Sequence, residues 1–130
     1  MKETILTDKA PAPIGPYSQA IKFGAYLFCS GQIALDPVTA VMKNASIEEE
    51  TEQAISNLSN VLLAGGASLK SVIKTTIFLV DMNDFSTVNA TYEKHLGEAK
   101  PARSTVAVSA LPKGARVEIE AIATIPPAGT

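Results

Sequence analysis

At 130 residues, 46% of them hydrophobic, the chain can bury one core without disulfides or a structural metal and is read as a single domain over residues 1–130. A net charge of −2 with no block of basic residues argues against a dedicated nucleic-acid surface, and no apolar run approaches the length of a membrane span. Cys29 is the lone cysteine and Met1–Ala12 lacks the apolar stretch of a signal peptide, so a reducing, cytoplasmic setting is expected.

In chain order, Thr4–Leu6 is a candidate first strand, and Ala10–Pro16 reads as an ordered loop. Ser18–Phe23 and Tyr26–Ser30 read as two short strands with Gly24-Ala25 between them. Ile33–Asp36 is a candidate extension of the second strand, and Asp36-Pro37 starts a loop to about Ala45. Ser46 with Glu49 forms a capping-box pattern, and Glu48, Glu49 and Glu50 suit the positive end of a helix dipole. Ile47, Thr51, Ala54, Ile55, Leu58, Val61 and Leu62 recur at helical spacing until Gly65-Gly66.

Val72–Val80 is β-branched and apolar on both faces, the pattern of a central strand. Asn83 or Asp84 caps a second helix with Phe85, Val88, Tyr92 and Leu96 inward, and Gly97 ends it. Arg103–Val108, a turn near Leu111–Gly114 and Arg116–Ile125 read as a β-hairpin, closed by Pro126-Pro127. The expected fold is α+β: a mixed sheet of five or six strands with two helices on one face. Its other face, with Glu118, Glu120, Arg116 and Ile122, is half apolar and suits a closed homo-oligomer.

In that hairpin Arg103 and Thr105 would lie opposite Glu118–Glu120, on similar faces. Spacing alone favours an ordinary cross-strand Arg–Glu pair, worth about 0.2–1 kcal/mol; a fixed guanidinium beside a carboxylate could also grip a small organic acid. Tyr17 follows a stiff Gly15-Pro16 turn, and Ser30-Gly31 could offer a hydroxyl and an open N–H. Each also has a structural reading: an aromatic plug and a turn. Asn89 on the second helix is undecided by periodicity. His95 has no neighbours at metal-ligand spacing, so no metal is expected. Cys29 reads as a buried structural thiol.

Several motifs in order carry a resemblance: Ile14-Gly15-Pro16-Tyr17-Ser18-Gln19-Ala20, Ser30-Gly31-Gln32-Ile33, Val72–Phe78, Asp84-Phe85 and Val88–Tyr92. Pro101-Ala102-Arg103-Ser104 through Leu111–Gly114 to Val117–Ala121 completes them. Over essentially its whole length the chain resembles the RidA (YjgF-type) reactive intermediate deaminase family. The resemblance implies a chorismate-mutase-like α+β fold and a homotrimer with clefts between subunits. It implies cofactor-independent hydrolysis of 2-imino acids, such as 2-iminobutanoate and 2-iminopropanoate, to 2-oxo acids and ammonia. Arg103 matches the carboxylate-clamping arginine and Glu118 the glutamate that orients water. Tyr17, Ser30, Gly31 and Asn89 match cleft-lining positions, and Thr105 stands where a cysteine is frequent. His95-Leu96 and Lys100 also depart from the family pattern. A non-catalytic carboxylate sensor is the main alternative, followed by a mutase and, weakest, a nuclease.

Overall fold

A computed structural model describes residues 1–126, so Pro127 lies outside the described residues. The strands are β1 (Glu3–Ile5), β2 (Ala20–Phe23), β3 (Tyr26–Gln32), β4 (Val72–Leu79), β5 (Ala102–Ala107) and β6 (Val117–Thr124). The helices are α1 (Ile47–Ala64) and α2 (Phe85–Leu96). One mixed six-stranded sheet runs in the order β1-β2-β3-β6-β4-β5. Both helices pack on one face, as expected. The core lies between them, where Ile55, Leu58 and Leu62 of α1 and Val88 and Leu96 of α2 meet Leu27, Ile77, Leu79, Val117 and Ile119.

Local chemistry explains the elements. Gly24, at φ +62°, turns β2 into β3 across the Phe23–Tyr26 pair. Ser46 Oγ accepts from Glu49 N at 3.0 Å. The Glu49 carboxylate reaches one residue past the usual partner and accepts from Ala45 N at 3.1 Å. The inward face of α1 is the expected one with two additions, Glu50 and Asn57, both fully buried. Ile33–Asp36 does not extend β3: after Gln32 only an isolated Leu35–Met42 bridge remains. Asp36 instead folds the loop by accepting from Val38 N and Thr39 N, and these backbone donors, Thr39 first, hold its carboxyl below the ordinary range.

Asp81, upstream of both expected caps, accepts from Asn83 N, and the short turn it starts leads into α2; Asp84 makes no side-chain cap bond.

The expected hairpin is corrected. β5 and β6 do run in opposite directions, but β4 lies between them, parallel to β5 and antiparallel to β6. The sequence contains the reason. β6 alternates strictly between buried and half-buried residues, so it needs cover from the helices and fits the middle of the sheet. β5 is exposed at almost every position and fits an edge. The unit β4-α2-β5 is a parallel crossover, which a twelve-residue helix spans.

Candidate functional site

Arg103 and Glu118 are therefore not neighbours. Arg103 lies level with Thr75 of β4, and Glu118 lies level with Phe78. Three residues along and two strands across place their backbones about 10 Å apart in each direction. They also face opposite ways. Thr75, Ile77 and Leu79 point to the helices and are buried, so Arg103 and Thr105 share that face of β5. Glu118 and Glu120 lie between the buried Val117, Ile119 and Ala121 and point to the other face. The expectation that all four share a face is overturned.

Each residue belongs to its own cavity. The larger, of 630 Å³, is lined by Tyr17, Ser30, Gly31, Lys113, Glu118 and Glu120, with walls from loops 11–14 and 33–35. Buried amides hold those walls. Gln19 Nε2 donates to Thr7 O at 3.0 Å and Pro11 O at 2.9 Å, while Gln19 Oε1 accepts from Thr7 N at 2.7 Å. Asn57 Nδ2 donates to Ile33 O and Leu35 O at 2.9 and 2.8 Å. Sequence reading missed both amides. Mid-helix position did hint at Asn57, because an Asn on the apolar side of a helix needs a partner.

Ser30 is committed to structure: its Oγ donates to Ser18 O at 2.6 Å and its N–H to Gln19 O at 2.9 Å. Tyr17 is 54% exposed and lines the cavity, so it is not a core plug. Gly31 earns its place sterically. Any Cβ there would overlap the Glu118 carboxylate, whose Cδ would be 2.7 Å away. Half-buried Glu118 thus rests on bare backbone. Desolvation, and secondarily the charge of Glu120, raise its pKa above the ordinary carboxylate value.

The second cavity, of 430 Å³, is lined by Asn89, Tyr92, Glu93, Lys100 and Arg103 among others. Arg103 Nη1 donates to Asn89 Oδ1 at 2.7 Å. Its guanidinium carbon stands 5.0 Å from the centroid of the Tyr92 ring and 5.6 Å from that of Phe85. Thr105 sits level with Ile77 and lines neither cavity.

Arg116 is not at a turn tip or on the open sheet face. Its Nε donates to Glu50 Oε1 at 2.8 Å, its N–H to Glu50 Oε2 at 2.6 Å, and its Nη2 to Asn44 O at 3.0 Å. Val117 N also donates to Glu50 Oε2, at 3.2 Å. A fully buried carboxylate on α1 therefore fixes the residue pair that leads into Glu118. From the sequence Glu50 reads only as a charge suited to the helix dipole.

Cys29 is buried, and desolvation pushes its thiol pKa up to about 12, as suits an inert thiol. His95 Nε2 pairs with Glu52 of α1 at 2.9 Å. Among the described residues no cluster of His, Cys, Asp or Glu could hold a metal ion, and no helix is long and apolar enough to cross a membrane.

Comparison with known proteins places this arrangement. The profile of the family described as endoribonuclease L-PSP matches residues 7–125. The 2-iminobutanoate/2-iminopropanoate deaminase of Mus musculus is 47% identical over 123 residues, 95% of this chain and 91% of its own. The crystal structure of a putative endoribonuclease from Thermotoga maritima superposes with a TM-score of 0.95 at 49% identity, covering 98% of this chain and all of its own. Escherichia coli TdcF, solved with bound serine, superposes with a TM-score of 0.89 at 38% identity, over 94% of this chain and 98% of its own. With the fold, the motif order and the whole-length identity in agreement, this chain belongs to the RidA (YjgF-type) reactive intermediate deaminase family.

Proposed function

We propose that the protein hydrolyses 2-imino acids to 2-oxo acids and ammonia, at a site that two copies of the chain build together. The observation that carries this reading is the split itself. The cation and the raised-pKa carboxylate lie on opposite faces of one sheet, so neither cavity alone has both groups. Docking one copy's edge strand β5 and α2 against a neighbour's β3–β6 rim would bring them together. A closed ring of such head-to-tail contacts satisfies every half-site, and a homotrimer is the smallest ring beyond a dimer. The open sheet face supports it: Phe28 and Val106 are 45% and 42% exposed.

In this site Arg103 holds the substrate carboxylate and turns C2 toward the facing Glu118. Positioning of this kind can lower a barrier by about 7–11 kcal/mol in favourable cases. The protonated imine is already electrophilic. Glu118 takes a proton from water as the oxygen bonds to C2, giving a neutral carbinolamine. It returns that proton to the nitrogen, the C–N bond breaks to release ammonia, the hydroxyl passes its proton through Glu118 to that ammonia, and 2-oxo acid and ammonium leave. A pKa raised above the ordinary carboxylate value suits a group that must both accept and return the proton. Tyr17 covers the ligand, and Ser30 and Gly31 shape the floor under Glu118.

The named activity of the mouse relative and the serine bound in TdcF support an amino-acid-like carboxylate ligand. A polynucleotide fits worse, because Glu118 and Glu120 both line the larger cavity. The lone buried thiol suits a reducing compartment such as the cytoplasm. The test is ammonia release from freshly generated 2-iminobutanoate. Acceleration by the purified protein, lost by about 100-fold or more in Glu118→Gln while 2-oxobutanoate still binds, fits hydrolysis. Binding without acceleration by the unsubstituted protein would leave a carboxylate sensor instead.

A further inference from the structure

Arg103 is exposed on an exposed edge strand, where a long side chain ordinarily samples many rotamers. Here it is held on three sides by α2. Asn89 Oδ1 takes Nη1, and the rings of Tyr92 and Phe85 flank the guanidinium carbon at 5.0 and 5.6 Å. The Tyr92 ring is in turn fixed. It is 5% exposed, and its hydroxyl lies 2.7 Å from Oγ1 of the fully buried Thr75 on the neighbouring strand. Thr75 is the residue level with Arg103 in the β4–β5 ladder, so strand, ring and guanidinium form one closed circuit.

We propose that Tyr92, locked by Thr75, and Phe85 are positioning residues that aim Arg103. With Nη1 taken by Asn89, Nε and Nη2 make no hydrogen bond among the described residues. These two donors form the side-on edge that matches a carboxylate. The aromatic contacts hold the guanidinium plane so that this edge faces the cavity before any ligand arrives. Asn89 accordingly acts on the ligand through Arg103. Pre-setting a cation in this way reduces the ordering cost of binding and favours an anionic group over a neutral isostere. This inference rests on the proposed deaminase reading for the identity of the ligand, but the clamp can be measured without turnover.

The probes are 2-oxobutanoate and its neutral amide, 2-oxobutanamide, and the readout is the ratio of their affinities for the full chain. Tyr92→Leu should weaken the carboxylate about tenfold and change the amide by less than about twofold. Tyr92→Phe and Thr75→Val should each weaken the carboxylate about threefold, and the double variant no further than either alone, because both break the same bond. Phe85→Leu should give a smaller loss of the same kind. If Tyr92→Leu does not fold, the other four variants carry the test.

Equal losses for both probes would mean general damage and overturn the inference, as would carboxylate affinity unchanged in every variant. An unsubstituted protein that shows no preference for carboxylate over amide also overturns it. If the unsubstituted protein prefers the carboxylate and the variants lose that preference, yet 2-iminobutanoate is not hydrolysed, the positioning role stands and the deaminase reading fails.

Discussion

At the scale of single residues, Glu118 carries the largest tension between folding and chemistry. Burial against Gly31 and the neighbouring Glu120 both disfavour its charged form, so its folded pKa lies above its unfolded one. Between those two values the folded state binds more protons, so its contribution to stability is favourable at low pH and is lost as pH rises through the folded pKa. Glu118→Gln removes the ionisation and should raise the melting temperature at pH 7, with little gain at pH 4. Thermal unfolding of both proteins at the two pH values checks this; a lower melting temperature at pH 7 would contradict it. Activity should fall in the same variant. A group that costs stability at working pH and is needed for turnover fits a functional role better than a surplus surface carboxylate.

Among elements, the start of β6 depends on α1. Glu50 satisfies two backbone N–H groups and one guanidinium, and among the described residues no other side chain reaches them. Glu50→Ala should cost about 3 kcal/mol, read as a shift in the denaturation midpoint, and Glu50→Gln should recover part of that. A loss under about 0.5 kcal/mol would reduce the contact to a surface pair. Glu50 also marks where local sequence stops being informative. Helices and strands were legible from apolar spacing, as in Ile55-Leu58-Leu62 and the alternation from Val117 to Ala123. That an acidic residue in a first helical turn pairs with Arg116, 66 positions later, leaves no periodic trace. Strand adjacency failed for the same reason. Antiparallel direction follows from a tight connection, but the insertion of β4 between β5 and β6 is decided by which strands must be buried. The exposure of β5 agrees with Ala102-Arg103-Ser104-Thr105, a weakly apolar run that suits an edge strand.

For the whole molecule, motifs distant in sequence gather at two cavities, and spacing paired Arg103 with Glu118 where the fold separates them. Tyr17, Ser30, Gly31 and Glu118 share one cavity, and Asn89 and Arg103 share the other. No fold of a single copy joins the two, since the sheet itself stands between them. The proposed site depends on sharing between copies, which complementation measures directly. Arg103→Ala and Glu118→Gln chains, each inactive alone, are unfolded together in equal amounts and refolded as a mixture. If each site draws its arginine and its glutamate from different copies, roughly a quarter of the sites regain both groups, and 2-iminobutanoate hydrolysis returns to about that fraction of the unsubstituted rate. A mixture that forms oligomers containing both variants yet stays as inactive as its components would place both residues in one chain's site and contradict the account.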